Sequence, residues 1–188
     1  MQRLKRGDRA ITSCYIALLR GVNVGRAKRV VMGDLRDCLE ELGYMNVRTL
    51  LNSGNVVFDA AGTSVRAHVD SIRGALMATL DLDVRIVAKP ARELTAIMSN
   101  NPLLDRVTDP ARRLVAFVNE PSALTRLGPL VSGDWAPEVL AVGRHAAYLW
   151  CPNGVSKGQL AAAVGRQLSE SVTTRNWSTV VKLHAMLG

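Results

Sequence analysis

The chain has 188 residues, 48% of them hydrophobic, with 24 basic against 16 acidic side chains and a net charge of +8. That length holds one large domain or two small ones, and the apolar share suits a packed globular protein. No apolar run approaches the ~20 residues a membrane-spanning helix needs. Aromatic residues, at 4%, are too scarce to furnish a broad base-stacking surface.

The first nine residues carry Arg3, Lys5, Arg6 and Arg9 against Asp8. The apolar stretch behind them is broken by Arg20 and has no small-residue cleavage site, so residues 1–12 read as a disordered basic tail and not as a signal peptide. Arginine outnumbers lysine 19 to 5, as the coding bias of a GC-rich genome produces. The charge therefore permits nucleic acid or anionic ligands without selecting either. Cys14, Cys38 and Cys151 are far apart and odd in number, each in an apolar strand or helix face. They fit buried thiols in a reducing cytoplasm.

Residues 13–19 are apolar throughout and predict a strand buried on both faces. Leu35, Cys38, Leu39 and Leu42 follow at helical spacing, with Gly43 as the stop. Residues 47–51 read as a strand, 52–54 as a turn and 55–58 as the return strand. Val65, Val69, Ile72, Leu76 and Leu80 mark a second helix, capped by Thr63 or Ser64. Residues 83–88 make the fourth strand. A linking helix from Pro90 carries Leu94, Ile97 and Met98 and ends at Asn100-Asn101-Pro102. A strand at 113–118, a short helix at 121–130 and a hairpin of 139–142 with 146–151 around Gly143 come next. Leu160, Val164 and Leu168 line a further helix capped by Ser156. A short strand at 171–174 leads to a last helix from about Arg175, with Thr174 as its cap and Trp177 docking it.

The order β-α-β-β-α-β occurs twice, without a close sequence repeat. It predicts an α+β protein of two tandem ferredoxin-like (βαββαβ) plaits, with a linking helix and an added C-terminal helix. The first subdomain is 13–89 and the second 90–188. Strands 14–19, 114–118 and 146–151 are apolar on both faces, but a plait's helices cover only one. The second face must be covered too, either by the two plaits burying or joining their sheets or by a homodimer.

In a plait the first two strands are parallel and the third runs back between them. The end of strand one and the turn between strands two and three then share one edge of the sheet. This topology brings Arg20, Gly21, Asn23, Gly25 and Lys28 near Asn52, Ser53, Gly54 and Asn55. A guanidinium, amides, a hydroxyl and glycine-rich backbone suit a small polar or anionic ligand, with Arg20 holding the anion and Asn23, Ser53 and Asn55 orienting it. Arg175 and Asn176 form a third polar cluster that joins the candidate set. Taken singly, each has a structural reading: the Gly and Asn residues make turns with positive φ, and Arg20 ties the loops together. His68 reads as a surface residue, His145 as a hairpin-turn residue and His184 as a packed edge. Metal-protease, Ser/His/Asp and Walker A motifs are absent, and the residues name no reaction and no cofactor.

Three stretches together carry a resemblance: Leu18-Leu19-Arg20-Gly21-Val22-Asn23-Val24-Gly25, Ser53-Gly54-Asn55-Val56-Val57-Phe58, and Thr174-Arg175-Asn176-Trp177 with Lys182-Leu183. In that order, over about residues 14–187, they resemble the domain-of-unknown-function 1697 family of bacterial proteins. Two positions depart from its pattern: Arg26 stands where a second Gly is usual, and Val155-Ser156-Lys157-Gly158 replaces Arg-Ser-Lys-Leu. The resemblance implies an α+β fold of ferredoxin-like parts and brings no established activity, cofactor or catalytic residue.

Three functional readings follow. The first is a cytosolic binding protein, or an undescribed enzyme, that takes a small anionic or polar ligand at the Arg20/Asn23/Ser53/Asn55 edge. The second is a structural or interaction module whose motifs fix loops and domain packing. The third is weak, sequence-independent nucleic-acid binding through the tail, lost with rising salt. No membrane partner is expected.

Overall fold

A computed structural model describes residues 12–23, 29–62, 64–104, 109–155 and 158–187. It is a mixed α+β fold with two four-stranded antiparallel sheets and six helices. The first half runs β1 (Thr12–Arg20), α1 (Met32–Glu41), β2 (Met45–Leu50), β3 (Asn55–Ala61), α2 (Val65–Leu80) and β4 (Arg85–Pro90). After α3 (Ala91–Ser99) come β5 (Arg113–Val118), a 3-10 turn (Pro121–Leu127) and α4 (Gly128–Val131). Then follow β6 (Val139–Val142), β7 (Ala146–Trp150), α5 (Leu160–Leu168), a second 3-10 turn (Ser169–Ser171), β8 (Val172–Asn176) and α6 (Trp177–Ala185). The strand orders are β2-β3-β1-β4 and β6-β7-β5-β8.

Strand alternation sorts the side chains into three cores. Tyr15, Ala17, Leu19, Val56 and Phe58 face α1 and α2. Their neighbours Ile16, Leu18, Val57 and Val87 face the other way, where they meet Val115, Phe117 and Tyr148 of the second sheet. Leu94 and Ile97 of α3 and Trp177, Val180 and Leu183 of α6 complete this middle core. Leu114, Ala116, Val118 and Leu149 pack on the far side against Leu160, Val164 and Leu168 of α5. The unbroken apolar strands are thus explained within one chain: each sheet's second face is buried in the core the two halves share. A fully buried Leu, Ile or Phe contributes roughly 1.5–3 kcal/mol, so this middle layer is a major source of stability.

Several local expectations are corrected. β4 starts and ends two residues later than the hydrophobic run suggests. Pro90 is its last residue, opposite Tyr15, and it precedes α3 as the cap position. The 121–130 segment is mostly 3-10 helix. Ser64 does cap α2, accepting the Ala67 N–H at 3.2 Å; Thr63 lies outside the described residues. Ser156, expected to cap α5, also lies outside them. Glu138 does that work from before β6, its Oε2 accepting the Gln159 and Leu160 N–H groups at 2.9 and 3.1 Å. Its charge suits a helix start. β8 runs on to Asn176, so Asn176 and not Thr174 caps α6. His68 is buried, tilted against Tyr15 and edge-on to Tyr44 and Phe58. Among the described residues no helix is long and apolar enough to cross a membrane.

Candidate functional site

β1 ends at Arg20 and the chain turns through Gly21 (φ +71°) and Asn23 (φ +55°). The Asn23 side chain closes its own loop and ties it to the β2–β3 turn. Its Oδ1 accepts the Val30 N–H at 2.9 Å, and its Nδ2 donates to the carbonyls of Val30 (2.9 Å) and Asn52 (2.7 Å). Asparagine tolerates the left-handed conformation this requires. Gly54 fastens the same two segments by backbone. The Leu19 N–H donates to its carbonyl at 2.8 Å. Its φ is +68°, and a Cβ there would lie 2.6 Å from Val22 Cγ2 and 2.7 Å from Leu19 Cβ. Only glycine fits.

Beside this turn, Arg175 of β8 spends its whole guanidinium on the first half and on its own strand. Nη2 donates to the carbonyls of Leu19 (2.7 Å) and Ser53 (3.1 Å), and Nε donates to Asn55 Oδ1. Nη1 donates to Thr173 Oγ1 (2.9 Å) and the Thr174 carbonyl (2.8 Å). Asn55 is fully buried, and its Nδ2 donates to Ser53 Oγ and the Leu50 carbonyl, both at 2.9 Å. Every acceptor around Arg175 is neutral, and burial lowers its pKa to about 10. A desolvated guanidinium with all its donors satisfied is a built structural element.

The expected cluster therefore divides. Ser53, Asn55 and Arg175 form a hydrogen-bonded knot between the halves, with Asn55 buried at its centre. Asn176 is occupied at the start of α6, its Oδ1 accepting from the Thr179 N–H and from the Ser178 and Thr179 hydroxyls. Arg20 is exposed and turns towards the second half, Nη1 donating to the Ser169 carbonyl. Gly25 and Lys28 lie outside the described residues. Asn23 remains at an open cleft of about 650 Å³, lined also by Arg29, Val30, Met32, Asp34 and Asn52. Val31, at the cap position of α1, offers no side-chain hydrogen bond, so among the described residues the first amides of that helix have no intrahelical or capping partner beside this cleft. The two loops that the topology brings together thus share one concave surface. It combines amide groups, the Arg29 guanidinium, the Asp34 carboxylate in the first turn of α1, and the start of that helix, which favours negative charge.

Tyr15 and Phe58 are buried beneath α1 and α2, their rings stacked 5.6 Å apart. Neither offers a face to a base. The described residues contain no group of His, Cys, Asp and Glu side chains arranged for a metal ion. One polar cluster escaped sequence reasoning. Lys89 of β4 is buried, and its Nζ donates to Glu93 Oε2 at 2.9 Å and to the Asn119 carbonyl at 3.3 Å. His145 Nδ1 stands 3.7 Å from the same Glu93 oxygen. The Lys-to-Glu spacing of four was visible, but Pro90 breaks the helical reading of it. The Asn119 and His145 partners come from distant turns.

The family model described as a protein of unknown function, DUF1697, matches residues 13–148. The chain belongs to this family. The match holds the first two motifs, whereas Arg175 and Asn176 lie beyond its end. Among solved structures, the DUF1697 chain is similar to a conserved bacterial protein from Streptococcus pneumoniae. The two share 25% sequence identity with a TM-score of 0.79, over 95% of this chain and 100% of that one. The structural likeness thus extends past the segment that the family model matches. A comparison with curated proteins finds no match.

Proposed function

We propose that this DUF1697 protein is a cytosolic binding protein for a small polar or anionic ligand, seated between the loop after β1 and the β2–β3 turn. The observation that carries the reading is the pairing of Asn23 with Asn52 in one cleft beside the uncapped start of α1. Arg29 supplies a charge for an anionic group and Asn52 lines the same cleft to give it direction, while Asn23 holds the two loops in place around it. The scaffold is read as two tandem ferredoxin-like plaits, 13–89 and 90–188. The support for that is the strand order second-third-first-fourth in each sheet.

Thermal-shift screening of carboxylates, nucleotides and phosphates tests the binding reading. A ligand at 100 times its dissociation constant raises stability by about 2.7 kcal/mol, and Arg29→Ala reduces the shift. Absence of any ligand-dependent shift across the panel favours the second reading, a structural module. That reading has its own support, since Ser53, Asn55, Arg175 and Asn176 all spend their polar groups on internal bonds.

A further inference from the structure

A second cleft, of about 780 Å³, runs along the junction of the two halves. Arg20 and Gly21 at the end of β1 and Arg85 at the start of β4 form one wall; Gly165, Arg166 and Glu170 form the other. Its charges do not balance. Asp83, also in the wall, is held by Arg73 at 2.8 Å, and Glu170 pairs with Arg85. Arg20 donates to the neutral carbonyl of Ser169. Among the described residues neither Arg20 nor Arg166 has a carboxylate partner. Two guanidinium charges, one from each half, are left uncompensated across an open cleft. A Cβ at Gly21 or Gly165 would meet nothing within 4 Å, so a ligand can approach the backbone on either side.

We propose that this cleft binds the terminal phosphate of a small phosphorylated molecule, gripped by Arg20 and Arg166 from opposite halves. A phosphate monoester carries close to two negative charges on one centre, matching the two guanidiniums that lack a carboxylate partner among the described residues. A monocarboxylate or a phosphodiester would leave one of them unpaired. The guanidinium fork presents paired donors to such an anion, and a junction between two halves is a common place for a ligand. Arg85 joins the grip when the phosphate takes the place of the Glu170 carboxylate. The assignment uses none of the residues of the Asn23 cleft and stands independently of it.

The test is calorimetric titration of the full chain with inorganic phosphate, phenyl phosphate and a short oligonucleotide lacking terminal phosphates, at constant ionic strength. Amide chemical shifts are followed in parallel. Saturable binding of both phosphates is expected, weakened at least about tenfold by Arg166→Ala, which removes a charge-assisted contact. Arg166 is exposed and has no ion-pair partner among the described residues, so the variant folds. Arg66→Ala, at an exposed pair with Asp70 on α2 and outside the cleft's lining, controls for net charge and leaves the isotherm unchanged. The shifts of Gly21, Gly165 and Ser169 move on saturation. An isotherm that Arg166→Ala leaves intact, shift changes confined to Asn23 and Asn52, or tighter binding of the oligonucleotide than of phosphate would each overturn the assignment.

Discussion

Arg175 of β8 and Asn55 of β3, 120 residues apart, meet where the two halves join, guanidinium Nε donating to carboxamide Oδ1. The same guanidinium holds the carbonyls of Leu19 and Ser53. Arg175→Ala strips these acceptors of their donor, and at the buried Leu19 and Asn55 each orphaned group costs about 1–3 kcal/mol. The expected loss is about 3 kcal/mol or more, read as a lower urea midpoint. Arg175→Lys recovers little of it, because one ammonium cannot span both carbonyls and the amide. A midpoint unchanged by Arg175→Ala would refute the structural role.

Gly54→Ala is expected to destabilise by about 2 kcal/mol or more. It forces a Cβ into Val22 and Leu19 at a backbone angle that side chains resist. The melting temperature reads this directly. Gly74→Ala is the comparison. It sits in α2 with open space around its Cβ position, and it raises stability through helix propensity.

Stability should fall on acidification because of His68. Burial lowers its pKa below the ordinary 6.5. Nδ1 lies 3.0 Å from the Tyr44 hydroxyl, and Nε2 is buried without a hydrogen-bond partner among the described residues. The unfolded chain therefore takes up the proton first. The contribution is complete above pH 6.5 and is lost as pH drops through that value towards the lowered one, below which it levels off. Each tenfold difference in proton affinity is worth about 1.4 kcal/mol. Chemical denaturation of wild type and His68→Phe between pH 8 and pH 5 isolates the effect, and the variant loses less stability over that interval.

The thiols are expected to be inert. Burial, with Asp59 beside Cys14 and Glu138 beside Cys151, pushes these groups up to about 11 and about 12. Burial also raises Cys38. Thiolate is the reactive form, so a disulfide reagent at pH 8 leaves the folded protein unmodified and titrates three thiols in denaturant. Rapid reaction of Cys14 in the folded state would contradict this.

Element order was legible because period carries it. Alternate residues of β1 face different cores, and Val65, Val69, Ile72 and Leu76 repeat as a helix must. The need for a second cover was legible for the same reason, since a strand apolar on both faces needs two; that the other half of the chain supplies it, and not a second copy, was not. Side-chain partners were not. Nothing in Thr173-Thr174-Arg175-Asn176 tells that the guanidinium reaches Leu19, because that contact exists only once both sheets are assembled. Glu138 at the start of α5 was hidden for a related reason, since the cap comes from outside the local sequence. His68 looked like a surface residue because its neighbours Arg66 and Asp70 are charged. Its own helical position, four residues before Ile72, put it on the buried face.

The knot at Arg175 also sets a timetable for synthesis. Chains fold from the N-terminus as they are made, yet the donor for the Leu19 carbonyl lies 156 residues downstream. Until Arg175 has left the ribosome, a nascent first half has Leu19, Ser53 and Asn55 waiting for it. Ile16, Leu18, Val57 and Val87 likewise await the rest of the middle core. That growing chain shows an apolar face with unpaired acceptors at its edge, and it is then that a chaperone has something to hold.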